Sequence, residues 1–126
     1  MKTIIDHKLN GLNEAIEIAA DEPGSGGASH SYTLFIPDNV ITKPGVTVHT
    51  ILNFQNGPIA TAQDFNGITN EALLAVLIDR MRGFQGGKFA CRENAIALTH
   101  LEDALMWLQK RTRERMARGV EGTLNK

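Results

Sequence analysis

The chain has one cysteine, Cys91, in 126 residues. No intramolecular disulfide can form, so the composition suits a reducing compartment, where a lone thiol is ordinarily a small core residue. No apolar run approaches the length of a membrane span, and the opening MKTIIDHKLN lacks the apolar core and small-residue cleavage site of a secretory signal. The four histidines, His7, His30, His49 and His100, are scattered, with no H-E-x-x-H and no Cys/His spacing suited to zinc. Asp6-His7 and Glu102-Asp103 read most simply as surface residues. There is no G-x-S-x-G, and the glycines at 24, 26 and 27 are not followed by the Lys-Ser/Thr of a phosphate loop. These gaps disfavour an enzyme: no catalytic residue, metal ligand or cofactor site is assigned.

The remaining composition is that of an ordinary soluble globular chain, 42% hydrophobic and 21% charged. The formal net charge is only −1, but it is unevenly spread. Residues 1–78 hold three cations against eight acids, a balance of −5, which leaves +4 on residues 79–126. An anionic partner is therefore directed to the C-terminal half, although a general nucleic-acid binder would usually be basic throughout.

The first half reads as β-structure. KTIIDH (2–7) and LNEAIEIAA (12–20) flank Asn10-Gly11, a hairpin signal, and the incomplete alternation of the second run suggests a bulge. DEPGSGGAS (21–29) is a loop, HSYTLFIP (30–37) a strand, VTVHTILNFQ (46–55) another, and residues 56–67 return to loop or short edge strand. The second half is helical. Thr69-Asn70-Glu71 offers an N-cap, and Leu73, Leu74, Leu77 and Met81 follow at helical spacing. GFQGGKF (83–89) breaks that helix, and a longer one is predicted from about Ala90 to Arg118, closed by Gly119. The expected fold class is α+β: an N-terminal antiparallel sheet in residues 1–67, then an antiparallel two-helix hairpin with a long second helix and a short tail in residues 68–126, together one compact domain.

In the long helix Leu98, Leu101, Leu105 and Leu108 form an a/d seam. Continued backward the seam reaches Asn94; continued forward it reaches Thr112 and Arg115. At about 100° per residue Arg115 projects roughly 20° from Leu108 and Arg111 roughly 60° on the same side, while Lys110 and Arg113 fall on the far face. Lys110, Arg113 and Arg118 read as cations suited to a helix C-terminus, with Glu114 pairing with Arg118. Arg111 and Arg115 need an anionic partner, because an arginine on an inward-leaning face without one is destabilising. Glu93 or an acid from the sheet could serve; so could a phosphate or pyrophosphate across both guanidinium groups.

Two readings fit Asn94: a buried polar residue that sets register, or an amide that reads a base edge. Two also fit Phe84: a plug at the helical turn, or a platform for an aromatic base. Asn94 and Arg111 stand 17 residues apart on one helix, roughly 25 Å along its axis, too far for one mononucleotide-sized ligand to touch both in a single chain. If they share a site, it is built across two chains packed antiparallel. Met106 and Trp107, outside the leucine stripe, are consistent with such a pairing.

FQGGKFACRENAIALTHLEDALMWLQKRTRERMARGVEGT (84–123), preceded by ITNEALLAVLIDRMRG (68–83), resembles the helical hairpin of phage anti-defence sponge proteins. These comprise the first-described Thoeris anti-defence family and the related anti-CBASS sponges; the β-rich first half makes the Thoeris type the better match. The resemblance implies a non-catalytic protein, in the cytoplasm of the infected bacterial host, that binds a cyclic ADP-ribose isomer and holds it intact. It implies antiparallel homodimers assembling to a hexamer and, in some members, cyclic di- or trinucleotides at a second site. Carried onto this chain, Phe84 and Asn94 would contact the base, Arg111 and Arg115 the phosphates, and Arg92 would be the candidate for the second pocket. A nucleic-acid contact through the basic helix 110–118 is the alternative, and a cyclic-nucleotide hydrolase a more distant one.

Overall fold

A computed structural model describes all 126 residues. The chain is α+β, as the sequence predicts: four short strands, then two helices, the second long. It divides into two compact units. Met1–Gly57 with Phe65–Gly67 forms the first, and Pro58–Asp64 with Ile68–Lys126 the second.

The first unit is an antiparallel meander of β1 (Lys2–Ile4), β2 (Glu17–Ala20), β3 (Ser31–Phe35) and β4 (His49–Asn53), in that spatial order. Ile4 pairs with Ile18, Ile18 with Leu34 and Leu34 with Thr50, so one row of side chains crosses all four strands. Two residues along, Ala20, Tyr32 and Leu52 continue the same face. Ala20 is fully buried there. Phe54, just past β4, meets the Tyr32 ring edge to face at 5.7 Å.

The predicted two-residue hairpin at Asn10-Gly11 is not formed. Strands β1 and β2 do pair, but the connection between them holds a one-turn helix, α1 (Gly11–Ala15). Leu12, Ala15 and Ile16 stand at i, i+3 and i+4, and this spacing, not a bulge, accounts for their broken alternation. Gly11 opens the turn at φ +55°, which a side chain would disfavour. Lys8 holds the far end through the Glu14 carbonyl at 2.8 Å and the Glu17 carboxylate at 3.0 Å. His7 is half-buried, not a free surface residue: its Nε2 donates to the Ile16 carbonyl at 2.7 Å.

The loop 21–29 is also ordered by its own polar groups. Ser29 donates to the Asp21 carbonyl at 2.7 Å, and His30 Nε2 to that of Ser25 at 2.6 Å. After β4, Asn66 clamps the returning chain. Its amide oxygen accepts from Asn56 N at 2.8 Å, its side-chain nitrogen donates to the Asn56 carbonyl at 2.7 Å, and its own N–H reaches Gln55 Oε1 at 3.0 Å. Gly67 then passes so close to the end of β4 that an added Cβ would lie 2.4 Å from the Phe54 carbonyl carbon and 2.6 Å from the Asn53 oxygen.

In the second unit, α2 spans Asn70–Gln85 and α3 spans Arg92–Ala117. Thr69 caps α2, its hydroxyl accepting from Ala72 N at 3.0 Å. The helix runs through Gly83 before Gly86-Gly87 ends it, its last residue Gln85 lying three residues beyond Arg82, where the predicted break at Gly83 would have ended it. Helix α3 begins after Cys91, not at Ala90. The thiol is exposed and caps the helix, Sγ accepting from Asn94 N at 3.5 Å, so it is not the core residue a lone cysteine usually is. Gly119 follows the C-cap at φ +70°, as predicted. The packing stripe of α2 runs through Leu74, Ile78 and Met81; Leu77, assigned to it from the sequence, is exposed. On α3 the stripe is Leu98, Leu101, Leu105 and Leu108, continued by Thr112 and Arg115. Arg82 reaches across to Glu102 at 2.8 Å.

Segment 58–64 groups with the helices, Ile59 N donating to the Gly122 carbonyl at 2.6 Å. Asp64 closes its turn by accepting from Ala60 N and Thr61 N at 2.8 and 3.0 Å. The Thr61 amide first, then that of Ala60, holds the Asp64 carboxyl below the ordinary carboxylate range.

Two expectations follow. Gly67→Ala forces backbone against backbone and should destabilise the chain by about 1–3 kcal/mol, read from denaturant unfolding. A lowered carboxylate pKa stabilises the folded state above the unfolded value, and that contribution fades as pH falls through the lowered one. The Ala60 and Thr61 amides should therefore lose exchange protection in acid, a pH dependence that Asp64→Asn removes.

Candidate functional site

The residues singled out from the sequence fall into two clusters at opposite ends of α3. The first lies at the hairpin tip. Phe84 is in the last turn of α2, and its ring meets that of Phe89 at 6.4 Å in an edge-to-face arrangement. Asn94, in the first turn of α3, is half-buried and directs Nδ2 at the Phe89 carbonyl at 3.5 Å. Phe84 and Asn94 are thus brought together through Phe89, which the sequence reading passed over. The signal was present, since F-Q-G-G-K-F sets two phenylalanines around a helix break. Arg80 was passed over too. It stands one turn before Phe84 and holds its guanidinium carbon 5.4 Å from the ring centroid. Arg92 opens α3 exposed, and its side chain forms neither hydrogen bond nor ion pair.

The second cluster is the C-terminal end of α3, where the cations differ sharply. Lys110 is paired with Glu114 at 2.6 Å, which keeps the Glu114 carboxyl below its ordinary range. Glu114 was expected to pair with Arg118. It selects Lys110 instead, and Arg118 donates to the Lys126 carbonyl. Lys110 also lies 5.7 Å from the Trp107 ring centroid. Arg113 is exposed with no partner, as a far-face cation should be.

Arg111 and Arg115 are one turn apart and in opposite states. Arg111 is exposed and makes no hydrogen bond or ion pair. Arg115 is 4% exposed, the most buried charged group in the chain. Its Nε donates to Glu121 Oε2 at 2.9 Å, and its Nη2 to the Val120 and Thr123 carbonyls at 2.9 and 3.0 Å. Nη1 donates to the Asn125 carbonyl. The anionic partner that the wheel demanded is therefore Glu121, neither Glu93 nor an acid of the sheet. A carboxylate six residues along is out of reach in a continuing helix; it becomes a neighbour because Gly119 turns the chain back.

The two clusters are not brought together within one chain, being separated by roughly 25 Å of helix. The tip supplies the aromatic rings and the amide, and the C-terminal end the unpartnered Arg111 and the buried Arg115.

Comparison with known proteins identifies the family. A family model described as the hairpin domain of Acb2/Tad1 matches residues 49–113, from β4 through most of α3. The Thoeris anti-defense 1 protein of Bacillus phage SBSphiJ7 is 57% identical over 75 residues, which is 60% of this chain and 52% of that relative. The match thus spans about half the length of the curated relative. The family model covers more than half of this chain, including α2, the turn and most of α3, and the chain belongs to the Acb2/Tad1 hairpin-domain family.

Proposed function

We propose that this protein is a phage anti-Thoeris factor that binds a cyclic ADP-ribose isomer and holds it intact, acting in the cytoplasm of the infected bacterium. The observation that carries the reading is Arg111, an exposed guanidinium with no partner, one turn from Arg115 on the face that elsewhere carries the leucine seam. Kinship to a Thoeris anti-defence protein supports the anti-Thoeris role, and the cyclic ADP-ribose isomer is our inference from it.

The site is composite. Two α3 helices packed antiparallel bring the Phe84–Phe89–Asn94 tip of one protomer to Arg111 and Arg115 of the other. The adenine stacks on Phe84, Asn94 reads its edge, and the guanidinium groups take the pyrophosphate. Such capture needs no general base and no metal. A nanomolar complex corresponds to about −12 kcal/mol, attainable for a ligand enclosed between two chains. Met106 and Trp107 are exposed in the single chain, Trp107 by 61%, and supply apolar surface for the pairing. Dimers assemble further, to a hexamer, and Arg92 serves a second pocket for cyclic di- or trinucleotides.

The direct test mixes purified protein with cyclic ADP-ribose isomers, removes free ligand, denatures the protein by heat and identifies what is released. Intact ligand is expected; a linearised product would make the protein a hydrolase, and no retained ligand would overturn the reading. Arg111→Ala should weaken capture about 100-fold, the scale of a lost charge-assisted contact, while Arg113→Ala should leave it nearly unchanged. Equal losses accompanied by a steep salt dependence would indicate a nucleic-acid site instead.

Assembly is tested separately. Light scattering should give a multiple of the 13.8 kDa chain mass. Trp107→Glu should shift the population toward single chains and lose capture in parallel.

A further inference from the structure

Arg115 has no fork left to offer. A guanidinium carries five N–H donors, and four of them are already donated, to Glu121, Val120, Thr123 and Asn125. The segment that holds them is shaped for the purpose. Gly119 and Gly122 take positive φ, and Val120 N returns to the Arg115 carbonyl at 3.0 Å. Gly122 is fastened on its other side by Ile59, whose carbonyl oxygen would lie 2.6 Å from an added Cβ. A phosphate that meets Arg115 bidentately must displace part of this segment. The replaceable part is Glu121, the one anionic acceptor, whose side chain is 44% exposed.

We propose that Glu121 is an internal stand-in for the ligand's phosphate and that it sets the selectivity of the site; this rests on the reading of Arg115 as a phosphate contact. A lone phosphodiester can meet Arg111 or replace Glu121, but one phosphorus group gains little by exchanging one anion for another at Arg115. A pyrophosphate has two linked anionic groups. It takes the unpartnered Arg111 with one and replaces the Glu121 carboxylate with the other, and the first contact drives the second. Glu121 therefore discriminates against ligands with a single phosphate, and capture of a pyrophosphate loosens residues 120–125.

The test uses the full chain, with cyclic ADP-ribose and cyclic AMP as probes, both adenine-bearing and cyclic, one with a pyrophosphate and one with a single phosphodiester. Glu121→Gln keeps the shape and an acceptor for Arg115 but removes the charge. In the wild type, cyclic ADP-ribose should raise amide exchange at Val120, Thr123 and Asn125 roughly tenfold, the scale of one charge-assisted hydrogen bond. The E121Q variant should show that exchange without ligand and should bind cyclic AMP roughly tenfold more tightly, with a smaller gain for cyclic ADP-ribose. Capture of cyclic ADP-ribose with tail exchange unchanged, or an unchanged selectivity ratio in E121Q, overturns the role of Glu121 and leaves the capture reading standing. Failure of both proteins to bind cyclic AMP or any of the cyclic ADP-ribose isomers overturns the two together.

Discussion

A two-helix hairpin cannot enclose a core. Each helix of this chain has one stripe turned to the other, and between two cylinders there is no third wall. The consequence is visible in the helical unit, where Ile78 is the one buried apolar residue and the leucines of α3 are only half-covered. Fixed polar contacts therefore carry much of the local order: the Thr69 and Cys91 caps, the Arg82–Glu102 pair, and the tail folded onto Arg115. The same shortage leaves Met106, Trp107, Phe89 and Met116 in contact with water, and the proposed pairing of chains rests on that apolar surface.

The cations of residues 110–118 divide by what lies within reach. Lys110 has Glu114 one turn away, Arg118 has the end of the chain, and Arg115 has the whole returning segment. Arg111 alone on the inward-leaning side has nothing. Local charge density is similar across this stretch, yet one residue is structural in the free chain and its neighbour is open. Burial and partnering, not charge, separate them.

How much of this was legible from the residues depends on the range of the interactions. Period and caps are local, so the β-then-α order, the helix breaks near Gly86 and Gly119 and the α3 seam were readable. The rotation of Arg115 onto that seam was readable too, being a property of one helix. Its partner was not, because Glu121 becomes a neighbour only after the chain reverses. The Asn10-Gly11 hairpin failed for a related reason: Lys8 and His7 stabilise a helical turn through carbonyls that no pattern of side chains displays. Leu77 and Ile78 are adjacent in sequence, and which one turns inward is decided by the contact with α3, so an apolar run alone could not choose between them. The tip cluster was half-seen, Phe84 and Asn94 without Phe89 and Arg80, because attention to the seam overlooks rings that lie beside it.

The solitary indole of the chain has an optical consequence. Trp107 stands largely in water with an ammonium group near its ring, so its emission in the free chain is that of a hydrated chromophore beside a positive charge. Any process that covers this side of α3 changes solvent polarity and local field at that one ring, with only Tyr32 as a competing phenol. The molecule thus carries its own spectroscopic gauge for the self-association proposed above, on the side of α3 assigned to it.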